Sequence, residues 1–269
     1  MKILLLGDIM GPSGRNAVIE NLPILIKKKK LDFVILNGEN AADPGVGITK
    51  EIVKNFFEAG ADVITTGNHV WDQKEIVEFI AIEKRLLRPQ NLVEGTPGNG
   101  FGIYNAKNKY KVAVINLMGN VFMKKSDDVF QSAKEFIKKV QLKKDADFII
   151  VDMHGEITSE KMAMGFLFDG KATMVVGTHT HVPTSDHRIM EKGTAYQTDV
   201  GMCGDYNSVI GMNKENSLKK FLKDPTSAKH YPALGEATIS GLMVTADDKT
   251  GLATKVEPIV LGGHLENRI

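Results

Sequence analysis

A single cysteine and the want of any long apolar run remove several kinds of protein at the outset. Cys203 has no second cysteine to join, so a cross-linked secreted scaffold is excluded and a reducing compartment is favoured. No stretch reaches the roughly 18 consecutive apolar residues that a membrane-spanning helix needs. The first apolar run stops at Asp8 with no small-residue cleavage pattern behind it, and reads as a buried strand, not a signal peptide. Charge of one sign is missing as well. Thirty-four Lys and Arg against 33 Asp and Glu leave a formal charge of +1, which gives no support for a broad nucleic-acid surface. Sequence-specific nucleic-acid binding and membrane association are therefore not expected, and a cytoplasmic location is. No fixed-period repeat, low-complexity tract or linker divides the chain, so residues 1–269 read as one domain with a sizeable core.

What is present is an alternation of short buried strands and amphipathic helices. Lys2 to Leu6 and Phe33 to Leu36 are continuous apolar runs of the kind parallel sheets bury on both faces, and Asp62 to Thr65 reads as a third strand. Between them the pattern predicts a turn at Gly11 to Gly14, a helix from about Arg15 to Lys29, and a helix from Thr49, an N-cap residue, to about Glu58. Lys27 to Lys30 sit at a helix C-terminus, where the dipole favours positive charge, and read as a solvated end. Phe101 to Asn105 and Lys111 to Leu117 read as paired strands about a polar turn at Lys107 to Lys109. A helix through about Val140, a strand from Phe148 to Val151, a helix from Thr158 to about Phe168 and a strand ending near Val176 follow. The remainder predicts short strands at Arg188 to Met190 and Ala195 to Thr198, a glycine-rich mobile lip at Gly201 to Asn207, a helix at Ser217 to Leu222 and a terminal hairpin about Asp247 to Gly251.

The strand ends carry the chemistry. Asp8, Glu39 and Asn40, Asn68 and His69, His154, and the pair His179 and His181 each follow an apolar run, and open α/β sheets bind ligands at that carboxyl edge. Taken singly, each has an ordinary reading: Asp8 as a turn or cap, Asn68 as a turn former, His154 as a buried satisfied imidazole, the histidine pair as loop residues. Their shared placement is what a metal centre requires, since oxygen and imidazole donors suit zinc, iron or manganese, and a carboxylate can bridge two ions.

Asp8, Gly67-Asn68-His69, His154 and Gly177-Thr178-His179-Thr180-His181 resemble, in this order, the signature of calcineurin-like metallophosphoesterases. The longer strings Asn37-Gly38-Glu39-Asn40-Ala41-Ala42, His154-Gly155-Glu156-Ile157-Thr158-Ser159-Glu160-Lys161 and Gly177 to Val182 are similar to a bacterial subfamily of dinuclear-metal 2′,3′-cyclic nucleotide phosphodiesterases. The resemblance spans essentially the whole chain. It implies an α/β fold, a four-layer αββα sandwich with two metal ions at the carboxyl ends of its central strands. Asp8 and His181, helped by Asn40, would hold one ion. Asn68, His154 and His179 would hold the other, and Glu39 would bridge them. Iron is the metal associated with the subfamily, with manganese or another divalent cation in related centres. Two positions depart from the broader superfamily: Met10 stands where a histidine is usual, and Glu39 where the bridging residue is usually aspartate. Both suit the subfamily, and they leave the part played by Asn40 open.

The implied activity is hydrolysis of a small 2′,3′-cyclic nucleotide to a 3′-nucleotide. His69 would serve as general acid, and Asn40 and His69 would touch the phosphate. Orienting the site through a hydrogen bond is the other reading of His69. Self-association into a homo-oligomer is implied by family alone. Two other functions fit the same residues: a metallohydrolase for other phosphodiesters, phosphomonoesters or RNA, and a regulatory scaffold whose contacts matter more than turnover. Cys203 has no activating partner in the sequence and reads as structural.

Overall fold

The computed structural model describes residues 1–107 and 109–269, and its strands pair into two sheets. The first runs β2 (Asp8–Ile9), β11 (Met202–Asp205), β12 (Ala237–Ala246), β1 (Lys2–Leu6), β3 (Phe33–Asn37) and β4 (Val63–Thr65), with β13 (Ala253–Leu261) also paired to β12. The second runs β5 (Phe101–Asn105), β6 (Lys111–Met118), β7 (Phe148–His154), β8 (Met174–Thr178), β10 (Ala195–Gln197) and β9 (Arg188–Ile189).

Period-two alternation decides how the sheets stack. In β1 and β3, Leu4, Leu6, Val34 and Leu36 face outward into a core shared with helices α1 (Gly11–Lys29), α2 (Lys50–Glu58) and α3 (Ile76–Ile82). Ile3, Leu5, Phe33 and Ile35 face the other way, onto Val112, Val114, Phe148, Ile150, Met174 and Val176 of the second sheet. The opposite residues of that sheet, Ala113, Ile115, Ile149, Val151 and Val175, pack under α4 (Val129–Lys139) and α5 (Thr158–Phe168). The result is helix, sheet, sheet, helix. Because the central strands are covered on both faces, they are apolar throughout, and each inward Leu or Ile contributes about 1.5–3 kcal/mol by leaving water. The short helix α6 (Lys214–Phe221) follows β11.

Register brings the polar strand ends to one place. Leu6 stands opposite Leu36, and Asn37 opposite Thr65, so Asp8, Glu39 and Asn68 all emerge at one edge of the first sheet. In the second sheet Met118, His154 and Thr178 share a level, which places His154 beside the start of the His179–His181 loop.

Several local expectations are corrected. Gly11 to Gly14 is not a turn but the first turn of α1, because proline costs nothing at the helix start, where its missing N–H has no partner to lose. β7 runs past Val151 to His154, since its parallel ladder with β6 continues to Met118. Gly201 to Asn207 is not a mobile lip: Met202–Asp205 is a buried strand held between β2 and β12. Helix α6 starts at Lys214, capped by the Asn213 side chain, earlier than its apolar spacing suggested. Of the turn at Lys107 to Lys109, Asn108 lies outside the described residues. Among the described residues no helix is long and apolar enough to cross a membrane.

Candidate metal centre

Four donor atoms crowd one point between the sheets. His154 Nε2 lies 3.0 Å from Asn68 Oδ1, 3.1 Å from His179 Nδ1 and 3.1 Å from Glu39 Oε1. One imidazole nitrogen carries at most a single proton, so hydrogen bonding alone cannot account for three such neighbours. Ligands held about 2.0–2.2 Å from a common ion stand roughly 3–3.6 Å apart, and the three separations from His154 Nε2 lie at the short end of that range. One donor atom each from Glu39, His154 and His179 lies within 4.8 Å of the other two, close enough to share an ion.

A second, looser group lies beside the first. Asp8 Oδ1 is 3.7 Å from His154 Nδ1 and 3.9 Å from His181 Nε2. Asp8 is fully buried, and its Oδ1 has no hydrogen-bond partner; neither has the buried Oδ1 of Asn40. Unsatisfied buried oxygens are costly, and a cation is a partner that either oxygen could take. Their companion atoms are held in place: Asp8 Oδ2 accepts from the His179 N–H at 3.0 Å, and Asn40 Nδ2 donates to the Gly45 carbonyl at 3.0 Å. His181 Nδ1 donates to the Ile210 carbonyl at 2.7 Å, which leaves Nε2 bare toward Asp8. His179 and His181 both have left-handed backbone, φ 99° and 66°, so the loop is strained where it presents them. The donor set of imidazole, carboxylate and amide with no thiolate fits a first-row divalent cation.

The charges are mutually adjusted. Burial pushes the Asp8 carboxyl up, to about 6, against the pull of His181 and His154. Burial also acts to raise Glu39, but the neighbouring His154 and His69 overcome it and bring the carboxyl down to about 2. His154 is drawn the opposite way: burial disfavours its charge, yet Glu39 and Asp8 raise it to about 9. Burial and the adjacent His154 hold His179 at about 3, neutral and able to donate its lone pair.

Beside these atoms a cavity of about 260 Å³ is lined by Glu39, His69, Glu156, His179 and His181 among others. A larger one of about 470 Å³, lined by Arg15, Asp43 and Gln73 among others, holds none of the clustered ligand atoms, so size does not select the site. His69 stands apart from the metal-type donors. Its Nδ1 lies 2.5 Å from Asp72 Oδ2, and its backbone N–H donates to Glu39 Oε2 at 3.2 Å.

The sequence profile of the family described as YmdB-like protein matches residues 4–259. The chain belongs to the YmdB-like family. It is 47% identical over 261 residues to the 2′,3′-cyclic-nucleotide 2′-phosphodiesterase of Bacillus subtilis strain 168, covering 97% of each chain. Solved structures that share its fold include two at 37% and 39% identity. One, described as a novel phosphatase from Mycoplasma pneumoniae, has a TM-score of 0.89 at 39% identity, with 97% of this chain and 93% of that one covered. The other, a hypothetical protein from Thermus thermophilus, has a TM-score of 0.89 at 37% identity, with 98% and 100% covered. The αββα arrangement of this YmdB-like chain is thus the metallophosphoesterase sandwich that its motifs implied.

Around the donors lies a layer of supporting residues that motif reading did not assign. Thr178 Oγ1 donates to Asp152 Oδ1 at 2.7 Å, so its lone pair accepts from His154 Nδ1–H at 2.9 Å. That order fixes the imidazole tautomer and turns Nε2 toward the other donors. Asn37 and Thr65 satisfy the remaining oxygen of the buried Asp152. The available signal was the polar Asp152 directly after the apolar run Phe148 to Val151. Thr178→Val keeps the shape and removes the relay. Metal affinity is expected to fall about 10–100-fold, read by titration against a chelator, with thermal stability of the metal-free protein changed far less. Lys124 was likewise missed: its Nζ donates to the Asn68 carbonyl at 2.5 Å and lies 3.6 Å from Asp72 Oδ1. Cys203 is fully buried and burial pushes its thiol up to about 12, which suits a packing role.

Proposed function

We propose that this protein is a metal-dependent phosphodiesterase that opens 2′,3′-cyclic nucleotides to 3′-nucleotides. One observation carries the reading: His69, paired with Asp72, and the donor residues Glu39, Asn40, His179 and His181 line the same small cavity. The name of the Bacillus subtilis relative, with near full-length coverage, supports the substrate. Asn68, His154 and His179 would hold one cation, Asp8, His181 and Asn40 the other, with Glu39 shared between them. The whole chain is taken as one catalytic unit. Iron is the proposed resident metal, with manganese or another divalent ion as an alternative, in a cytoplasmic homo-oligomer; the donor set suits any of these metals.

Such cations supply Lewis acidity toward phosphoryl oxygens and acidify a water for attack. The chain's own residues do the rest. Asp72 holds His69 Nδ1, leaving Nε2 as the nitrogen available to the cavity. As water attacks phosphorus and the bond to O2′ breaks, Nε2 gives its proton to the departing O2′, the attacking water releases a proton to solvent, and the phosphate stays on O3′. Asn40 and His69 orient the nonbridging oxygens. His69→Asn is expected to lower kcat about 10²–10⁴-fold with metal content retained. Equal loss of metal and turnover would remove His69 from the acid role.

Metal uptake should also carry a proton signature. Every ligand must bind in its deprotonated form. His154 at about 9 and Asp8 at about 6 are each raised, so each holds a proton below its value that the cation must displace. Affinity is therefore expected to climb as pH rises toward about 9, and to climb more steeply below about 6, where both protons compete. Calorimetry in buffers of different ionisation enthalpy counts the protons released.

The activity itself is tested on metal-quantified protein with 2′,3′-cyclic nucleotides, 3′,5′-cyclic nucleotides, simple diesters, phosphomonoesters and short RNA. The monoesters belong in the panel because the Mycoplasma pneumoniae structure is described as a phosphatase. Failure of the fully metallated enzyme on 2′,3′-cyclic nucleotides would overturn the reading.

A further inference from the structure

The lining of the cavity beside the donor atoms is chemically mixed. Glu39, Asn40, His69 and the paired histidines are its polar members, and Val46, Ile210 and Met212 its apolar ones. Ile210 is the unusual member. It lines this cavity yet remains 57% exposed, an aliphatic surface held open at the mouth of a polar site.

Its backbone is more unusual still. Val209 and Met212 exchange N–H to carbonyl hydrogen bonds of 3.0 Å in both directions, enclosing a two-residue hairpin turn. Its central residues, Ile210 and Gly211, have φ 48° and 92°, the left-handed pair of a type I′ turn. Glycine and asparagine suit that first position; a β-branched residue there is a genuine outlier. The turn serves the site through its backbone, because the Ile210 carbonyl accepts from His181 Nδ1 at 2.7 Å. Asparagine would present the same carbonyl with less strain. The isoleucine side chain therefore requires a separate reason, and the only distinctive thing it supplies is apolar surface at the cavity.

The floor beneath the turn is apolar too. Met10 is 1% exposed, and a Cβ placed on Gly211 would collide with its side chain. The position where the broader superfamily carries a histidine is here a packing support for the Val209–Met212 turn. Gly211 N–H donates to Ser208 Oγ at 2.8 Å, and Ala233 N–H to the Gly211 carbonyl at 2.8 Å, so the turn is braced from both sides.

We propose that Ile210 is a specificity-determining residue, the wall against which the flat face of the substrate's nucleobase packs while its phosphate sits at the donor atoms. This rests on the cyclic-nucleotide reading for the identity of the uncharged group. In a ribose cyclic phosphate the planar apolar substituent is the base, which fits a site whose lining is both polar and apolar. Val46 and Met212 are the other apolar residues that line the cavity.

Binding, not turnover, provides the test. Metal-loaded wild type, Ile210→Asn and Ile210→Val are compared by calorimetry for adenosine 3′-monophosphate and for base-free ribose 3-phosphate. Wild type is expected to bind the nucleotide about tenfold more tightly than the sugar phosphate, and Ile210→Asn to lose about that tenfold preference through the nucleotide alone. Ile210→Val, which keeps a β-branched apolar surface, should retain most of it. Thermal unfolding confirms that the asparagine variant, suited to the turn, is folded. Absence of the preference in wild type, or its persistence in Ile210→Asn, overturns the assignment. A preference that collapses as expected in a protein that fails to hydrolyse 2′,3′-cyclic nucleotides would sink the activity reading and leave the wall in place.

Discussion

Gly67→Ala is expected to strip the protein of most of its metal and to lower turnover by at least about a hundredfold, for the addition of one methyl group. Gly67 lies against the donor cluster: a Cβ there would strike Glu39 Oε2 and the His154 imidazole at Nε2 and Cδ2. These are not flexible ends that can swing away. His154 is fully buried and held through Nδ1 by Thr178, and Glu39 is 1% exposed and holds the His69 N–H. The methyl group must therefore push His154 and Glu39 apart or displace the Gly67–His69 turn, and either movement disrupts the 3.0–3.1 Å separations between His154 Nε2 and the other three donors. Metal content by elemental analysis and activity on a 2′,3′-cyclic nucleotide should fall together, while circular dichroism stays near wild type. A fully metallated and active Gly67→Ala protein would show that these atoms do not share an ion.

Lys161→Met is expected to cost about 3–5 kcal/mol of stability and to lower Tm by on the order of 10 °C. Lys161 Nζ lies 2.7 Å from Asp199 Oδ2, and both side chains are essentially inaccessible to water. The same carboxylate accepts from Thr180 N–H at 3.1 Å and Thr180 Oγ1 at 2.8 Å, and its other oxygen from Gly201 N–H at 2.8 Å. Thr180 separates the two histidines, so the ion pair pins the loop that presents them in strained backbone. Removing the ammonium leaves a buried carboxylate without its countercharge, which is worse than removing the pair. Lys161→Met combined with Asp199→Leu should therefore recover part of the stability yet lower the metal affinity, because only the double variant deprives Thr180 of its Asp199 anchor. Chemical denaturation and metal titration of the single and double variants separate the two effects. Equal stability of wild type and Lys161→Met would sink the anchoring role.

The helical and strand framework was legible where the residues themselves dictate it. Runs such as Leu4 to Leu6 and Phe33 to Leu36 announce strands covered on both faces, and Thr49 caps α2 through Ile52 N–H as its side-chain chemistry suggests. Boundaries set by a neighbour were not. β7 reaches His154 because β6 offers it a ladder, and Met202 to Cys203 forms a strand because Asp8 and Ile9 lie alongside. Nothing local in the glycine-rich segment Gly201 to Asn207 distinguishes such a strand from a loop.

The site divides along the same line. Order and residue type along the chain were enough to single out Asp8, Glu39, Asn68, His154, His179 and His181, since each closely follows or ends an apolar run and bears a metal-type donor. Distances belong to the fold alone. His154 meets Asn68 from 86 residues away and His179 from 25, because parallel register in two separate sheets sets their ends face to face. The supporting residues are farther from view. Asp152 and Thr178 act only through the tautomer of His154, and Ile210 through a backbone angle that no composition reveals. Residue type and order along the chain settle the kinds of atom available and the strand ends that carry them. The tertiary structure decided which of those atoms meet, because spacing of about 3 Å between donors is a property of packing and register, not of order along the chain.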